Sequence, residues 1–232
     1  MVDAYFARDP IRIVVELHSE DHFRFKFWRA RIAESPPTEM SPVIGDILHN
    51  LRSALDLMAC DAVRLAGKSD KGTYFPFSNT AAELPEQIRR KNFDRAGSRA
   101  VRLLKQIRPH RNGNEGLRAL HDLSNQDKHQ MVVPVAWGGR LDLSGLMPDA
   151  DPKTFNEIKN WSSRLEDGSI VVGTPLDYGP PVGAIVKADY FLLLFYPETG
   201  AGNEMVHFLD ELCRVVENIL KLFSGEADEI SS

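Results

Sequence analysis

The sequence predicts a segregated α+β fold, because strand-like runs stand before and after a helical stretch and do not alternate with helices. Residues 11–17, IRIVVEL, and 22–32, HFRFKFWRARI, alternate or run apolar and are rich in β-branched and aromatic side chains. From 41 to about 130 the apolar spacing changes to the helical period, and further strand-like runs follow. No glycine-rich dinucleotide or P-loop fingerprint argues for a doubly wound sheet. The expected architecture is one α+β domain over 1–232, with a helical unit at about 41–130 plus 204–223 and strands at about 11–32 and 131–196. An N-terminal hairpin and the later strands would form an antiparallel sheet, closed by a C-terminal helix.

The polar break SEDH makes the first two runs an antiparallel hairpin. On its second strand Phe23, Phe25, Phe27 and Arg29 share one face while Arg24, Lys26 and Trp28 take the other, so one side is core and the other partly wet. The prolines of ESPPTEMSP interrupt regular structure. A long helix then follows: Ser41 can cap it, Pro42 suits its first position, and Ile44, Ile47, Leu48, Leu51, Leu55, Met58, Ala59, Ala62 and Leu65 form one stripe until Gly67. Short helices are expected near 83–92 and 98–108, the second capped by Ser98 and ended by Pro109, and another from about Glu115 to Gln130 after the loop RNGN. Strand-like runs return at 131–137, 140–146, 169–176 and 189–196, with Gly138 and Gly139 a hairpin turn between the first two. Asn203 can cap a last helix whose Met205, Phe208, Leu209, Leu212, Val216, Ile219, Leu220 and Phe223 fall on one side.

A net charge of −5 argues against a protein whose whole surface binds nucleic acid or an anionic membrane, although local patches stay open. Cys60 and Cys213 are far apart and make no zinc spacing, so they read as reduced core thiols. The start MVDAYFARDP has no signal-peptide layout, and no apolar run reaches the roughly 18 residues of a membrane span, so a soluble cytoplasmic protein is expected. No GxSxG or HExxH motif occurs, and the histidines show no strong metal spacing; His18 and His22 fall across the first turn and read as surface residues. No metal or cofactor is expected.

Several polar residues sit where apolar ones would be easier to place. On the long helix His49, Arg52 and Asp56 lie on one stripe beside the apolar face. Arg52 and Asp56, four apart, can pair with each other. In the helix at 115–130, Ser124 and Asp127 fall on the apolar face with Leu117, Leu120 and Leu123. A buried carboxylate needs a cation or a donor cluster, and Arg52 is the leading partner for Asp127; the alternative is that Asp127 caps a turn.

The string IGDILHNLRSALDLMA at 44–59, then YFPF at 74–77 and LRALHDLSNQDKHQ at 117–130, resembles a bacterial family of uncharacterised proteins in which a GDxLHNLRSALD helix precedes an NxDKH helix. The resemblance covers about residues 10–135. More remotely the chain is similar to HEPN-type helical domains, whose ribonuclease members carry Arg followed four to six residues later by His on one helix. That resemblance implies a helical bundle in which the His would move a proton and the Arg would stabilise phosphate charge. This sequence has Leu57 five residues after Arg52, so His49 or His129 would have to substitute, with Lys128 as a charge stabiliser.

The segment at 85–111 holds nine Lys or Arg against two acids. Arg89, Arg90, Lys91, Arg99, Arg102 and Lys105 are the candidate contacts to RNA or another polyanion, and the alternative is a solvated face paired with acids of the C-terminal helix and tail. Three readings follow. The first is a non-catalytic HEPN-like module that binds RNA or another polyanion. The second is a metal-independent ribonuclease using Arg52, a nearby His, Asp127 and Lys128. In the third, Asn50, Arg52, Asp56, Ser124 and Asp127 form a purely architectural network and function lies with a protein partner.

Overall fold

A computed structural model describes residues 1–17, 25–130, 135–142, 158–161, 165–196 and 201–225, the side chains of 126–130, 135–136, 142, 158–161, 195–196 and 201–202 excepted. The fold is α+β, and the chain divides into two compact units, Met1–Met40 with Pro134–Val206 and Ser41–Val133 with His207–Ser232.

The first unit holds the sheets. A short helix α1 (Val2–Phe6) precedes β1 (Ile11–Leu17) and β2 (Phe25–Ile32), which pair antiparallel from Ile11 opposite Ile32 to Leu17 opposite Lys26. The turn between them, with His18, His22, Phe23 and Arg24, lies outside the described residues. β5 (Ile170–Pro175) adds to β2 and the two-residue β6 (Ile185–Val186) to β1, both antiparallel. The buried face of the hairpin is the one carrying Ile13, Val15, Lys26, Trp28 and Ala30, while Phe25 is left exposed. Lys26 is tolerated inside because its Nζ donates to the carbonyls of Leu176 at 3.0 Å and Gly179 at 3.3 Å.

A second sheet has the order β4-β3-β7-β8, built from β4 (Ile158–Trp161), β3 (Val135–Asp142), β7 (Asp189–Tyr196) and β8 (Ala201–Glu204). The expected turn at Gly138 and Gly139 is not formed. Both glycines lie inside β3, opposite Phe191 and Tyr190 of β7, so cross-strand pairing overrides a local turn preference. Leu141 of this sheet joins Ile13, Val15, Trp28, Val172 and Val186 in one apolar cluster.

The second unit is helical. α2 (Met40–Leu65) buries Ile44, Leu48, Leu55, Met58, Ala59 and Val63. Leu65, expected on the stripe, is 88% exposed in the final turn, where Val63 takes the inward position, and Gly67 follows at φ +69°. Next come α3 (Leu84–Arg90), a 3-10 turn at Phe93–Ala96, and α4 (Gly97–Ile107). Ser98 does not cap α4, since the 3-10 turn runs directly into Gly97 and no side-chain cap bond is made. Arg108 ends α4 in the left-handed region at φ 56°, ahead of Pro109.

α5 (Glu115–Gln130) starts where Asn114 Oδ1 accepts the N–H of Leu117 at 3.0 Å. The loop before it needs Gly113, because a Cβ there would stand 2.3 Å from the Arg108 carbonyl oxygen. α6 (Met205–Ser224) begins two residues after Asn203, which belongs to β8. α6 buries Phe208, Leu212, Val216 and Ile219, and Leu212 and Val215 lie against Gly116 of α5. Both cysteines are free thiols, but only Cys60 is partly buried, its Sγ donating to the Thr73 carbonyl at 3.5 Å. Cys213 is exposed, because it falls one residue outside the inward row marked by Leu212 and Val216.

Candidate functional site

The helical unit carries a cleft of about 260 Å³ lined by side chains from α2, α3, α5 and the connection between α2 and α3. Its floor starts from a helical i,i+4 pair. Arg52 Nη2 lies 3.2 Å from Asp56 Oδ1, so the two charges that α2 places on one stripe meet each other. The pair then holds the segment TYFPF against the helix. Asp56 Oδ1 accepts the Phe75 N–H at 2.8 Å, and Arg52 Nη2 donates to the Phe75 carbonyl at 3.3 Å. With its backbone bonded this way, the segment alternates: Thr73 and Phe75 are buried and Tyr74 is half exposed.

Phe77 completes the floor. The Arg52 guanidinium sits 4.3 Å from its ring centroid, and the His121 imidazole of α5 stacks on it at 4.6 Å with planes 20° apart. Arg52 Nη1 is buried without a hydrogen-bond partner among the described residues, a cost partly offset by the ring beneath it. Burial lowers the Arg52 pKa and the Asp56 carboxylate opposes that shift. The guanidinium nonetheless keeps its charge at neutral pH.

The α5 side is organised in the same manner. Arg118 forks onto Asp122 one turn on, with Nε to Oδ2 at 2.9 Å and Nη2 to Oδ1 at 2.6 Å, and its Nη1 donates to Asn79 Oδ1 at 3.2 Å. His121 is pushed down to about 4, first by burial and then by the neighbouring Arg52 and Arg118 charges, with Asp122 opposing. It is therefore a neutral imidazole at physiological pH. Asn125 Nδ2 lies 3.0 Å from His121 Nε2, which makes that nitrogen the acceptor when the amide donates and puts the proton on Nδ1.

Above this floor stand Arg90 and Lys91 from the end of α3, and neither forms an ion pair with a described acid. Lys91 Nζ lies 5.4 Å from the Tyr74 ring centroid. Four cations thus face one cleft, against Glu83 as the single acid among its lining residues. The two floor arginines are held by carboxylates and act as fixed charge, whereas Arg90 and Lys91 keep donors free for an anion.

The residues singled out by sequence divide clearly. Arg52, Arg90 and Lys91 line the cleft, with Asp56 behind Arg52. His49 and Asn50 are exposed on α2 and are not among the lining residues, and Ser124 is buried on α5. Asp127, Lys128 and His129 lie on the α5 backbone, but their side chains fall outside the described residues, and with them the expected contact between Arg52 and Asp127. Arg89, Arg99, Arg102 and Lys105 are exposed, the last three along one face of α4, and none pairs with an acid among the described residues.

Arg118, His121, Phe77 and Asn79 were not picked out by sequence reasoning. The available signal was the run of Arg118, His121, Asp122 and Asn125, whose three- and four-residue spacing gives α5 a polar stripe beside its leucines. Among the described residues no group of three or more His, Cys, Asp or Glu could hold a metal ion, and no helix is long and apolar enough to cross a membrane. No protein-family model, curated protein or solved structure matches the chain.

Proposed function

We propose that the helical unit is a non-catalytic, HEPN-like binding module of a cytoplasmic protein, and that it takes a phosphate group of RNA or a related polyanion in the cleft. The observation that carries this reading is the pair Arg90 and Lys91, uncommitted to any described acid, above a floor fixed by Arg52 and Arg118. Held guanidinium groups supply positive potential without having to be ordered on binding, while the free cations supply direct contacts. The exposed row Arg99, Arg102 and Lys105 on α4 offers further phosphate contacts within the same unit.

Association should therefore weaken with salt, because each neutralised phosphate releases counterions. Fluorescence anisotropy with a labelled mixed-sequence RNA measures this. Replacing Arg90 and Lys91 together by Ala should lower affinity and flatten the dependence of log K on log salt by about 1.4, two contacts at the single-strand value. No detectable association at low salt, or affinity unchanged by the double replacement, rules the reading out.

A ribonuclease reading is favoured by one feature, the presence of His121 beside Arg52 and Arg118. A histidine held near 4 can accept a proton at neutral pH but cannot supply one. The site is better suited to hold a phosphodiester than to cut it. Cleavage of RNA by the parent protein, abolished in a folded Arg52→Ala variant, would reverse this ordering.

A further inference from the structure

Tyr74 precedes Phe75, a lining residue of the cleft, and is 50% exposed between two buried neighbours, Thr73 and Phe75. Its backbone is fixed on both sides. The Tyr74 N–H donates to the Lys91 carbonyl at 3.2 Å, and the next residue is held by Asp56 and Arg52. The Lys91 side chain returns over the ring, with Nζ 5.4 Å from the centroid, and the same lysine lines the cleft. One lysine therefore belongs both to the lining of the cleft and to one face of a solvent-exposed aromatic ring.

A lone exposed tyrosine needs no explanation. A tyrosine whose position is set by the residues of a cationic cleft, and whose ring shares a cation with that cleft, does. In a nucleotide the phosphate and the base are separated by one sugar, and here a phosphate site and a π face are separated by the reach of one lysine side chain.

We infer that the cleft and Tyr74 together accept one nucleotide of a single-stranded nucleic acid, its phosphate at Arg90 and Lys91 and its base stacked on the Tyr74 ring. The inference rests on the phosphate-binding reading above and narrows it. Unstacked bases of a single strand are free to lie on an aromatic side chain, whereas a duplex keeps them paired and inorganic polyphosphate has none. Lys91 adds attraction from the side of the ring that the base does not use.

The test compares labelled single strands of about ten nucleotides, RNA and DNA, with the matching duplex and with inorganic polyphosphate, on the 232-residue chain, two Tyr74 variants and the double replacement of Arg90 and Lys91 by Ala. Tyr74→Ala should weaken the single strands by about 5- to 100-fold and leave polyphosphate affinity within about twofold. Tyr74→Trp should retain binding, and its added indole fluorescence should be quenched by the single strands but not by polyphosphate. Whichever of RNA and DNA binds tighter identifies the source of the strand.

The inference is overturned if Tyr74→Ala binds single strands as the parent does, if it loses polyphosphate to the same degree, or if the duplex binds as tightly as the single strands. Polyphosphate binding that depends on Arg90 and Lys91, together with indifference of the oligonucleotides to Tyr74, sinks this inference alone. Polyphosphate and oligonucleotide binding both indifferent to Arg90 and Lys91 sinks the cleft reading with it.

Discussion

Burying an arginine is costly unless its charge is answered, and Arg52 and Arg118 show two ways of answering it. Each takes a carboxylate one turn later on its own helix, Asp56 and Asp122, and each spends a further donor on the connection that follows α2. These pairs fix the shape of the cleft, and His121 registers their charge. Its folded pKa near 4 lies below the ordinary 6.5, so between those values the unfolded chain binds a proton that the folded chain excludes. The stability associated with the neutral ring is thus complete above pH 6.5 and drains away as the pH falls toward 4. A His121→Phe variant lacks this component, and urea unfolding at pH 7 and 4.5 should show the parent losing more stability than the variant. The difference should be on the order of 1 kcal/mol once the partial exposure of the ring is allowed for. Equal losses in the two proteins would show that His121 titrates normally.

At the scale of elements, α4 differs from its neighbours. It buries only Ala100 and Leu104 and presents Arg99, Arg102 and Lys105 to solvent. The sequence left two uses open for this basic row, phosphate contact or pairing with acids of the last helix and the tail. Of the acids of α6, Asp210 is instead paired locally with Arg214 and Glu217 with Lys221, and Glu211 lies 3.3 Å from His207, because partners four residues apart on one helix meet with little entropy loss. Among the described residues the row on α4 therefore has no acid partner, and the acidic tail at 226–232 lies outside them. Changing Arg99, Arg102 and Lys105 to Gln should reduce the steepness of log K against log salt for single-stranded RNA by about 2 without altering the thermal midpoint by more than a few degrees. An unchanged slope would show that the row makes no phosphate contact.

At the scale of the whole molecule, each compact unit is assembled from two separated stretches of chain. The helical unit includes α6 from His207 onward, although the rest of that unit ends at Val133. Leu212 is 1% exposed and, with Val215, faces Gly116, two residues before Arg118 in α5. Leu212→Ala should cost about 2–4 kcal/mol in urea unfolding by leaving a cavity beside the helix that carries Arg118 and His121. A loss below about 1 kcal/mol would mean that α6 contributes little to holding α5.

The periodic elements were legible in the linear order of residues. The 3.6 spacing of Ile44, Leu48, Leu55 and Ala59, the alternation in Ile11–Leu17, and the inward row of α6 each record a requirement satisfied within a few residues. Arg52 with Asp56, and the basic segment containing Arg90 and Lys91, could be noticed for the same reason. One local signal misled, Gly138 with Gly139, which suggested a turn, and the alternation of β2 left open which of its faces is core. Distant strands decided the first, and backbone carbonyls at Leu176 and Gly179 let Lys26 lie inward in the second. The grouping of Phe77, Arg90, Arg118 and His121 with Arg52 left no comparable trace. Their approach depends on loop closures spanning tens of residues, whose cost and reward are shared among many contacts, so no short pattern of residue types encodes it.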